Sequence, residues 1–254
     1  MRERTLVIGD IHGEYHKLIR VLQIAGYSSS DRLVFLGDYL NRGHESREVL
    51  EYLIELKKDR RNIFLRGNHE DVLLKLLSGD TQYWYTWLEY GEGRACISSY
   101  GDDPDRIFYT IEGYFIRKDS HEVPLDREET IGFLRALFPR THIEFLRETV
   151  LTYELKDYFF SHAGIESGMA LEEQGPNAEG FLLWGDEDFL HDHHDYGKKI
   201  VYGHYHNSTP LIHKNKICLA LKGAIALLDT SEGVIYDSLG RSFSVRDILS
   251  SVSR

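Results

Sequence analysis

Five short strings spread along the chain set metal-ligating side chains beside glycine. They are Gly9-Asp10-Ile11-His12-Gly13, Gly37-Asp38-Tyr39-Leu40-Asn41-Arg42-Gly43, Gly67-Asn68-His69-Glu70, Ser161-His162-Ala163-Gly164 and Gly203-His204. Carboxylate, amide and imidazole are the donors that hard-to-borderline divalent cations select. Glycine lets the backbone turn sharply and approach a ligand closely. Asp10, His12, Asp38, Asn68, His162 and His204 exceed the needs of one four-coordinate zinc and suit two ions sharing a carboxylate. Two ions ~3.5–4 Å apart clamp the attacking and leaving oxygens of an in-line displacement and lower the pKa of a water between them. That chemistry fits hydrolysis of a phosphate ester.

The elements that must carry these residues are legible around them. Apolar runs at Thr5–Ile8, Leu33–Leu36 and Ile63–Leu65 read as buried strands, and each ends at or next to one of the strings. Apolar residues at helical spacing follow, over residues 14–25, over 46–57, and through Val72, Leu73, Leu76 and Leu77. Alternating strands and helices imply right-handed crossovers in a mostly parallel sheet. Ligands of such a sheet gather beyond the carboxyl ends of its strands. Asp10, Asp38 and Asn68 fall there. His162 follows Tyr158-Phe159-Phe160 and His204 follows Ile200-Val201-Tyr202, repeating the placement. Residues 80–148 read as a helical insertion beside the site, with helices over 128–138 and 142–148. The last third reads as strands at 150–154, 158–160, 200–202, 216–221, 224–229 and 234–237, which implies a second, more antiparallel sheet. No repeat or Pro-rich linker divides the chain, so a single domain over 1–254 is expected.

Composition narrows the function classes. Thirty Lys and Arg against 41 Asp and Glu give a net charge of −11, which argues against general nucleic-acid binding. A phosphorylated substrate stays open, because a metal supplies positive charge locally. Cys96 and Cys218 form no CxxC pair and read as free buried thiols. The opening Met1–Thr5 runs straight into a strand without the apolar stretch of a secretion signal, and no run reaches the ~18 apolar residues of a membrane span. A soluble, cytoplasmic protein with no membrane partner is the expectation.

Taken together, the strings resemble the phosphoprotein phosphatase branch of the calcineurin-like metallophosphoesterases, with its GDxHG, GDxxDRG, GNHE, HAG and GH motifs. The similarity runs from Gly9 to His204. Local likeness to bacterial serine/threonine phosphatases, with diadenosine tetraphosphatases as further relatives, extends to Trp87-Leu88-Glu89, Ser99-Tyr100-Gly101 and Leu182-Leu183-Trp184. The resemblance implies a four-layer αββα sandwich with two central mixed sheets. It also implies a dinuclear centre, usually of manganese, with iron or zinc as alternatives. By motif position, Asp10 and His12 would bind one metal, Asp38 would bridge, and Asn68, His162 and His204 would bind the other. His69 would be the general acid and Arg42 would hold the substrate phosphate together with Asn68. A hydroxide held between the metals would attack phosphorus directly. The implied substrate is a phosphoprotein, phosphorylated on serine, threonine or tyrosine, or a phosphorylated small molecule.

The chain departs from the pattern in places that bear on chemistry. Asn41 stands where most protein phosphatases carry the aspartate that pairs with the catalytic histidine. A neutral amide orients His69 but stabilises an imidazolium less than a carboxylate does. Trp184-Gly185-Asp186 replaces a Trp-Ile-Arg whose arginine contacts phosphate, so weak ground-state affinity is expected. Leu219–Ala224 keeps the glycine of an Asp-Thr-Gly-Ala segment but not its polar residues. His206 reads equally as support behind the ligands or as surface, and His191–Asp195 as a solvated loop. Two other functions therefore stand beside the protein phosphatase: a diadenosine polyphosphate hydrolase or other phosphodiesterase, and a weakly active metal-binding regulatory protein.

Overall fold

Strand and helix alternate through the first third, as the apolar pattern requires. In the computed structural model, which describes residues 4–252, β1 (Thr5–Ile8), β2 (Arg32–Phe35) and β3 (Ile63–Phe64) are followed by α1 (Tyr15–Ile24), α2 (Ser46–Leu56) and α3 (Asn68–Leu77) respectively. Met1–Glu3, part of the stretch read against a secretion signal, lie outside the described residues. The helices bury Leu18, Val21 and Leu22 of α1, Val49, Leu50 and Leu53 of α2, and Val72, Leu73 and Leu76 of α3. That spacing forms one apolar stripe per helix.

The segment after α3 departs from the expectation of a helical insertion. It holds α4 (Gly93–Ser99), α5 (Arg127–Leu137) and α6 (Arg140–Arg147), but between them lie β4 (Ile107–Thr110), β5 (Gly113–Lys118) and β6 (His121–Pro124). These strands form a separate antiparallel sheet in the order β4-β5-β6. The signal was present as β-branched and aromatic residues in Ile107-Phe108-Tyr109-Thr110 and Tyr114-Phe115-Ile116, closed by tight turns. Trp84, Trp87 and Phe138 of this insertion merge with the cluster that α1–α3 bury, so it extends the helical layer.

The remaining elements are β7 (Thr152–Leu155), β8 (Tyr158–Ser161), α7 (Glu179–Trp184), α8 (Glu187–His191), β9 (Lys199–Tyr202), β10 (Leu211–Ile212), β11 (Lys216–Cys218), β12 (Ala220–Leu221), β13 (Ala224–Asp229), β14 (Val234–Asp237), β15 (Ser242–Ser244) and α9 (Val245–Val252). Among the described residues, one sheet runs β15-β14-β13-β1-β2-β3 with β12 beside β13, and the other β10-β11-β9-β8-β7. Both are mixed. β1, β2 and β3 are parallel, while β13 joins β1 antiparallel; β8, β9 and β11 are parallel between antiparallel β7 and β10. The C-terminal strands thus divide between two sheets instead of building one. The run expected as a single strand over 216–221 breaks at Leu219 and serves both.

Alternating burial along the strands stacks these sheets. Leu6 and Ile8 face the helical layer, whereas Val7 faces inward with Phe160 and Val201. Phe159, Ile200 and Tyr202 point the opposite way, against Leu182 and Phe189 of α7 and α8. Strands covered on both faces read as continuous apolar runs. Helices, sheet, sheet and short helices make the expected αββα order.

The segment entering β1 is tied to β13 at Asp229, which is fully buried. Its carboxylate accepts from Arg4 Nε at 2.7 Å and from Ser231 N and Oγ at 2.8 and 2.7 Å. Burial alone would raise its pKa, but the Ser231 and Arg4 hydrogen bonds outweigh burial and hold it below the ordinary carboxylate range. A depressed native pKa adds stability that is present above the unfolded pKa and lost as pH falls through the native one. Asp229→Asn is therefore expected to lower unfolding free energy by about 2 kcal/mol at neutral pH. Urea unfolding should show the gap between the two proteins closing as the medium is acidified below pH ~4.

Candidate metal centre

Each ligand string turns off a strand end, and the turns are laced to one another. Ile11 N and His12 N donate to Asp38 O at 3.0 and 2.8 Å, Gly13 N donates to Tyr39 O at 2.8 Å, and Gly43 N returns to His12 O at 2.9 Å. Glu70, fully buried in the first turn of α3, ties the next pair. Its Oε2 accepts from Asp38 N at 2.8 Å and Gly67 N at 3.0 Å, and its Oε1 accepts from Tyr39 N at 2.8 Å. These bonds fix the loop after β2 against the start of α3. Glu70 was not among the expected site residues, and its place two residues after Asn68 was the one sequence signal for it.

The turns leave non-glycine residues in the left-handed region: His12 (φ 47°), Asp38 (φ 53°), Asn41 (φ 71°), Arg42 (φ 62°) and His204 (φ 64°). Such backbone costs of order 1–3 kcal/mol per residue and persists where surrounding structure over-determines it. Two glycines permit contacts that any side chain would block. A Cβ on Gly67 would stand 2.2 Å from Asp38 Oδ1, and one on Gly203 would stand 2.1 Å from Asp10 Oδ1.

All six predicted ligands come together, and Asp38 lies between two groups. Its Oδ1 faces His162 Nε2 at 3.5 Å and its Oδ2 faces His12 Nε2 at 3.5 Å. Asn68 Oδ1 stands 3.0 Å from His162 Nε2 and 3.2 Å from His204 Nδ1. Asp10 accepts from the His204 backbone N–H at 3.1 Å and approaches His12 Nε2 to 3.9 Å. Ligand atoms of Asp38, His162 and His204 lie within 4.8 Å of one another, as do those of Asp10, His12 and His206 and those of His12, Asp38 and His69.

Backbone carbonyls set the imidazole tautomers. His12 Nδ1 lies 3.2 Å from Leu40 O, His162 Nδ1 lies 2.9 Å from Leu36 O, and His206 Nδ1 lies 2.9 Å from His204 O. A proton on each Nδ1 leaves the Nε2 lone pair facing the cluster, the usual arrangement for a metal-binding histidine. The Asn68 carbonyl oxygen and His162 Nε2, 3.0 Å apart, converge on the same space, where a proton on Nε2 or a cation relieves the contact. That convergence is the structural fit of the site to a metal.

The electrostatics of the site are mixed: burial works to lower His162, but Asp38 and Asp10 beside it win and raise its pKa. Burial lowers His12 well below its ordinary pKa and, with His162 beside it, pushes His204 to about 3, keeping both imidazoles neutral. Burial works to raise Asp38, but His162, His69 and His12 around it win and hold it below the ordinary range. Asp10 is raised by burial and by the Asp38 charge. A cation between the carboxylates would relieve both effects.

Four residues around the cluster complete the picture. His206 belongs to it: its Nε2 is 3.5 Å from Asp10 Oδ2 and its ring stacks on His12 at 5.2 Å. The spacing of His206 two residues after His204 repeats that of His12 after Asp10, so the signal lay in the sequence. Arg42 reaches in from the rim, with Nη1 2.9 Å from His12 Nε2 and 3.1 Å from His206 Nε2. Asn41, fully buried, places Nδ2 2.8 Å from His69 Nδ1, and its Oδ1 has no protein partner. Asp186 turns away: it caps α8 through Asp188 N at 2.9 Å and accepts from Ser167 N at 3.0 Å. The His191–Asp195 run joins none of the ligand groups among the described residues.

Two variants separate the parts of this construction. Gly203→Ala is expected to displace Asp10, leaving a folded protein by circular dichroism that retains less metal after dialysis. Glu70→Gln places an N–H2 against backbone donors and should cost about 2–4 kcal/mol of stability as well as metal. Metal content equal to wild type in both would contradict the geometry above.

Comparisons with known proteins agree with this fold. The serine/threonine-protein phosphatase PP2A-like PPG1 of Candida albicans is 46% identical over 66 residues, covering 25% of this chain and 16% of the relative. A protein phosphatase 2A catalytic subunit of Dictyostelium discoideum is 32% identical over 112 residues, 43% of this chain and 32% of the relative. The matched segments are thus a minor part of those relatives. Among solved structures, a protein provisionally named a diadenosine tetraphosphatase superposes with a TM-score of 0.59 at 16% identity, covering 92% of both chains. The Saccharomyces cerevisiae serine/threonine phosphatase with similarity to human PP5 gives 0.56 at 15% identity, covering 91% of this chain and 74% of that one. A cold-active protein-tyrosine phosphatase of a Shewanella species gives 0.52 at 17%, over 96% and 80%. These likenesses establish the shared fold. The calcineurin-like phosphoesterase pattern matches residues 3–208, a span holding every ligand string, and the chain belongs to that family.

Proposed function

We propose that this protein is a divalent-metal-dependent phosphomonoesterase acting on phosphorylated protein side chains. The observation that carries the reading is Asp38, whose two oxygens face separate imidazole groups while Asn68 Oδ1, His162 Nε2 and His204 Nδ1 converge on one side. Asp10 and His12, with His206, would hold one ion. Asn68, His162 and His204 would hold the other, with Asp38 between. The mixed oxygen and nitrogen donors suit manganese, with iron or zinc as alternatives. When bound, such ions supply positive charge to a transferring phosphoryl group and a water acidic enough to ionise near neutral pH.

The chain's own residues divide the remaining work. The Arg42 guanidinium, at the rim beside His12 and His206, offers paired N–H donors that match phosphate oxygens. With Asp186 committed to capping α8, no second arginine assists from that position, which supports weak ground-state affinity. His69 is buried beside Asp38, with Nε2 3.9 Å from Asp38 Oδ2. Asn41 Nδ2 donates to Nδ1, so the neutral ring carries its N–H on Nε2, where it can donate a hydrogen bond to the oxygen that leaves phosphorus. Burial, with smaller effects from Arg42 and the neighbouring histidines, lowers its pKa to about 4 against the pull of Asp38. The names of the sequence relatives support a protein phosphatase. Cys96 and Cys218 are free and buried, which supports a reducing, cytoplasmic setting. No helix among the described residues is long and apolar enough to cross a membrane.

Metal-stripped protein reloaded with manganese should release phosphate from phosphopeptides and from an aryl phosphate. Asp38→Asn should lower kcat by at least roughly 10²-fold. His69→Asn should cost roughly 10²–10⁴-fold on an alkyl phosphate and much less on an aryl phosphate with a good leaving group. Asn41→Asp should raise turnover of the alkyl phosphate. Stoichiometric metal with no hydrolysis of any phosphoester would favour the regulatory reading.

A further inference from the structure

Three of the clustered histidines, His12, His162 and His206, have Nδ1 against a backbone carbonyl, but His204 does not. Its Nδ1 is the nitrogen that faces Asn68 Oδ1, at 3.2 Å, and none of its hydrogen bonds among the described residues uses Nε2. Its backbone also sits in the left-handed region, at φ 64°. The direction of this ring is therefore set by packing. Two rings meet it edge to face: His162, with centroids 5.2 Å apart, and Tyr205, 5.0 Å apart at an interplanar angle of 90°.

Tyr205 is itself fixed at both ends. Its backbone N–H donates to Gly203 O at 2.7 Å, and its carbonyl accepts from Asn207 Nδ2 at 2.5 Å and from the Cys218 thiol at 3.4 Å. Its phenol lies across the turn between α7 and α8. A Cβ on Gly185 would stand 1.7 Å from Tyr205 Oη and 2.5 Å from its Cζ. Gly185 takes φ 89° and ψ 175°, a conformation almost confined to glycine. The Asp186 backbone N–H approaches the same phenol oxygen, while the Asp186 carboxylate caps α8. A phenol at 205 and a side chain at 185 thus exclude each other. The Trp184-Gly185-Asp186 turn, one of the places where this chain departs from its relatives' pattern, makes the seat for Tyr205.

We propose that Tyr205 is a positioning residue for the metal centre: its ring, seated over Gly185, holds the His204 imidazole with Nδ1 on the Asn68 side. The inference rests on the metal-centre reading given above. The edge-to-face contact is one that aromatic rings favour, and it removes rotations that would carry Nδ1 away from Asn68. The hydroxyl fixes the tyrosine ring, and the ring in turn fixes the imidazole, so loss of the ring matters more than loss of the oxygen. Groups that orient a metal-binding side chain typically contribute ~10–100-fold in metal affinity.

The test titrates manganese into the metal-stripped full chain and follows binding by calorimetry. Tyr205→Ala should weaken binding by roughly tenfold or more, whereas Tyr205→Phe, which keeps the ring, should retain most of the affinity. Gly185→Ala puts a methyl where the phenol oxygen sits and should reproduce the loss without touching the tyrosine. Repeating Tyr205→Ala in a His204→Ala background separates positioning from general loosening of the site. Because Tyr205 acts through His204, its removal there should change the remaining affinity by less than about twofold. Wild-type affinity in Tyr205→Ala or Gly185→Ala, or an undiminished loss in the His204→Ala background, would overturn the proposal while leaving the metal centre intact. Failure of the wild-type chain to bind manganese would overturn both.

Discussion

The centre depends on one buried carboxylate that is not itself a candidate ligand. Glu70 accepts backbone N–H groups from Asp38, Tyr39 and Gly67, and so joins the loop after β2 to the N-terminus of α3. The His69 backbone N–H, donating to Asp38 Oδ1 at 3.2 Å, reinforces that joint. Burial, together with the nearby Asp38 charge, raises the Glu70 pKa to about 7, and its backbone donors pull the other way. A cation beside Asp38 would remove much of the like-charge cost. The scaffold thus holds two close carboxylates under mutual repulsion, the situation that positive charge stabilises most. The strained turns fit the same account, since left-handed His12, Asp38 and His204 are tolerated only where neighbouring hydrogen bonds fix the backbone.

Protonation is prepared alongside position. Three histidines spend Nδ1 on backbone carbonyls and keep Nε2 toward the cluster, so the ligand atoms are chosen before any ion arrives.

Much of this was legible in the sequence, for a physical reason. Largely buried strands ending in Gly-Asp, Gly-Asn, Ser-His or Gly-His state both the element and the direction in which its end points, and the convergence of the six candidate ligands follows from that. What stayed hidden depended on pairing. β4–β6 were hidden because an aromatic-rich stretch reads equally as helix packing until partners are known. The division of 216–221 between two sheets depends on β12 pairing with β13, which spacing along the chain does not encode. The importance of Glu70 and His206 lies in which backbone or carboxylate they meet, and only the folded chain supplies those partners. The work of Asp186 as a helix cap appears only with α8 in place.

The central claim is that Asp38 joins two cation sites, and anomalous diffraction from manganese-loaded crystals tests it most directly. The account predicts two peaks flanking the Asp38 carboxylate, one ringed by Asn68, His162 and His204, the other by Asp10, His12 and His206. A single peak, or density bound away from Asp38, would contradict it.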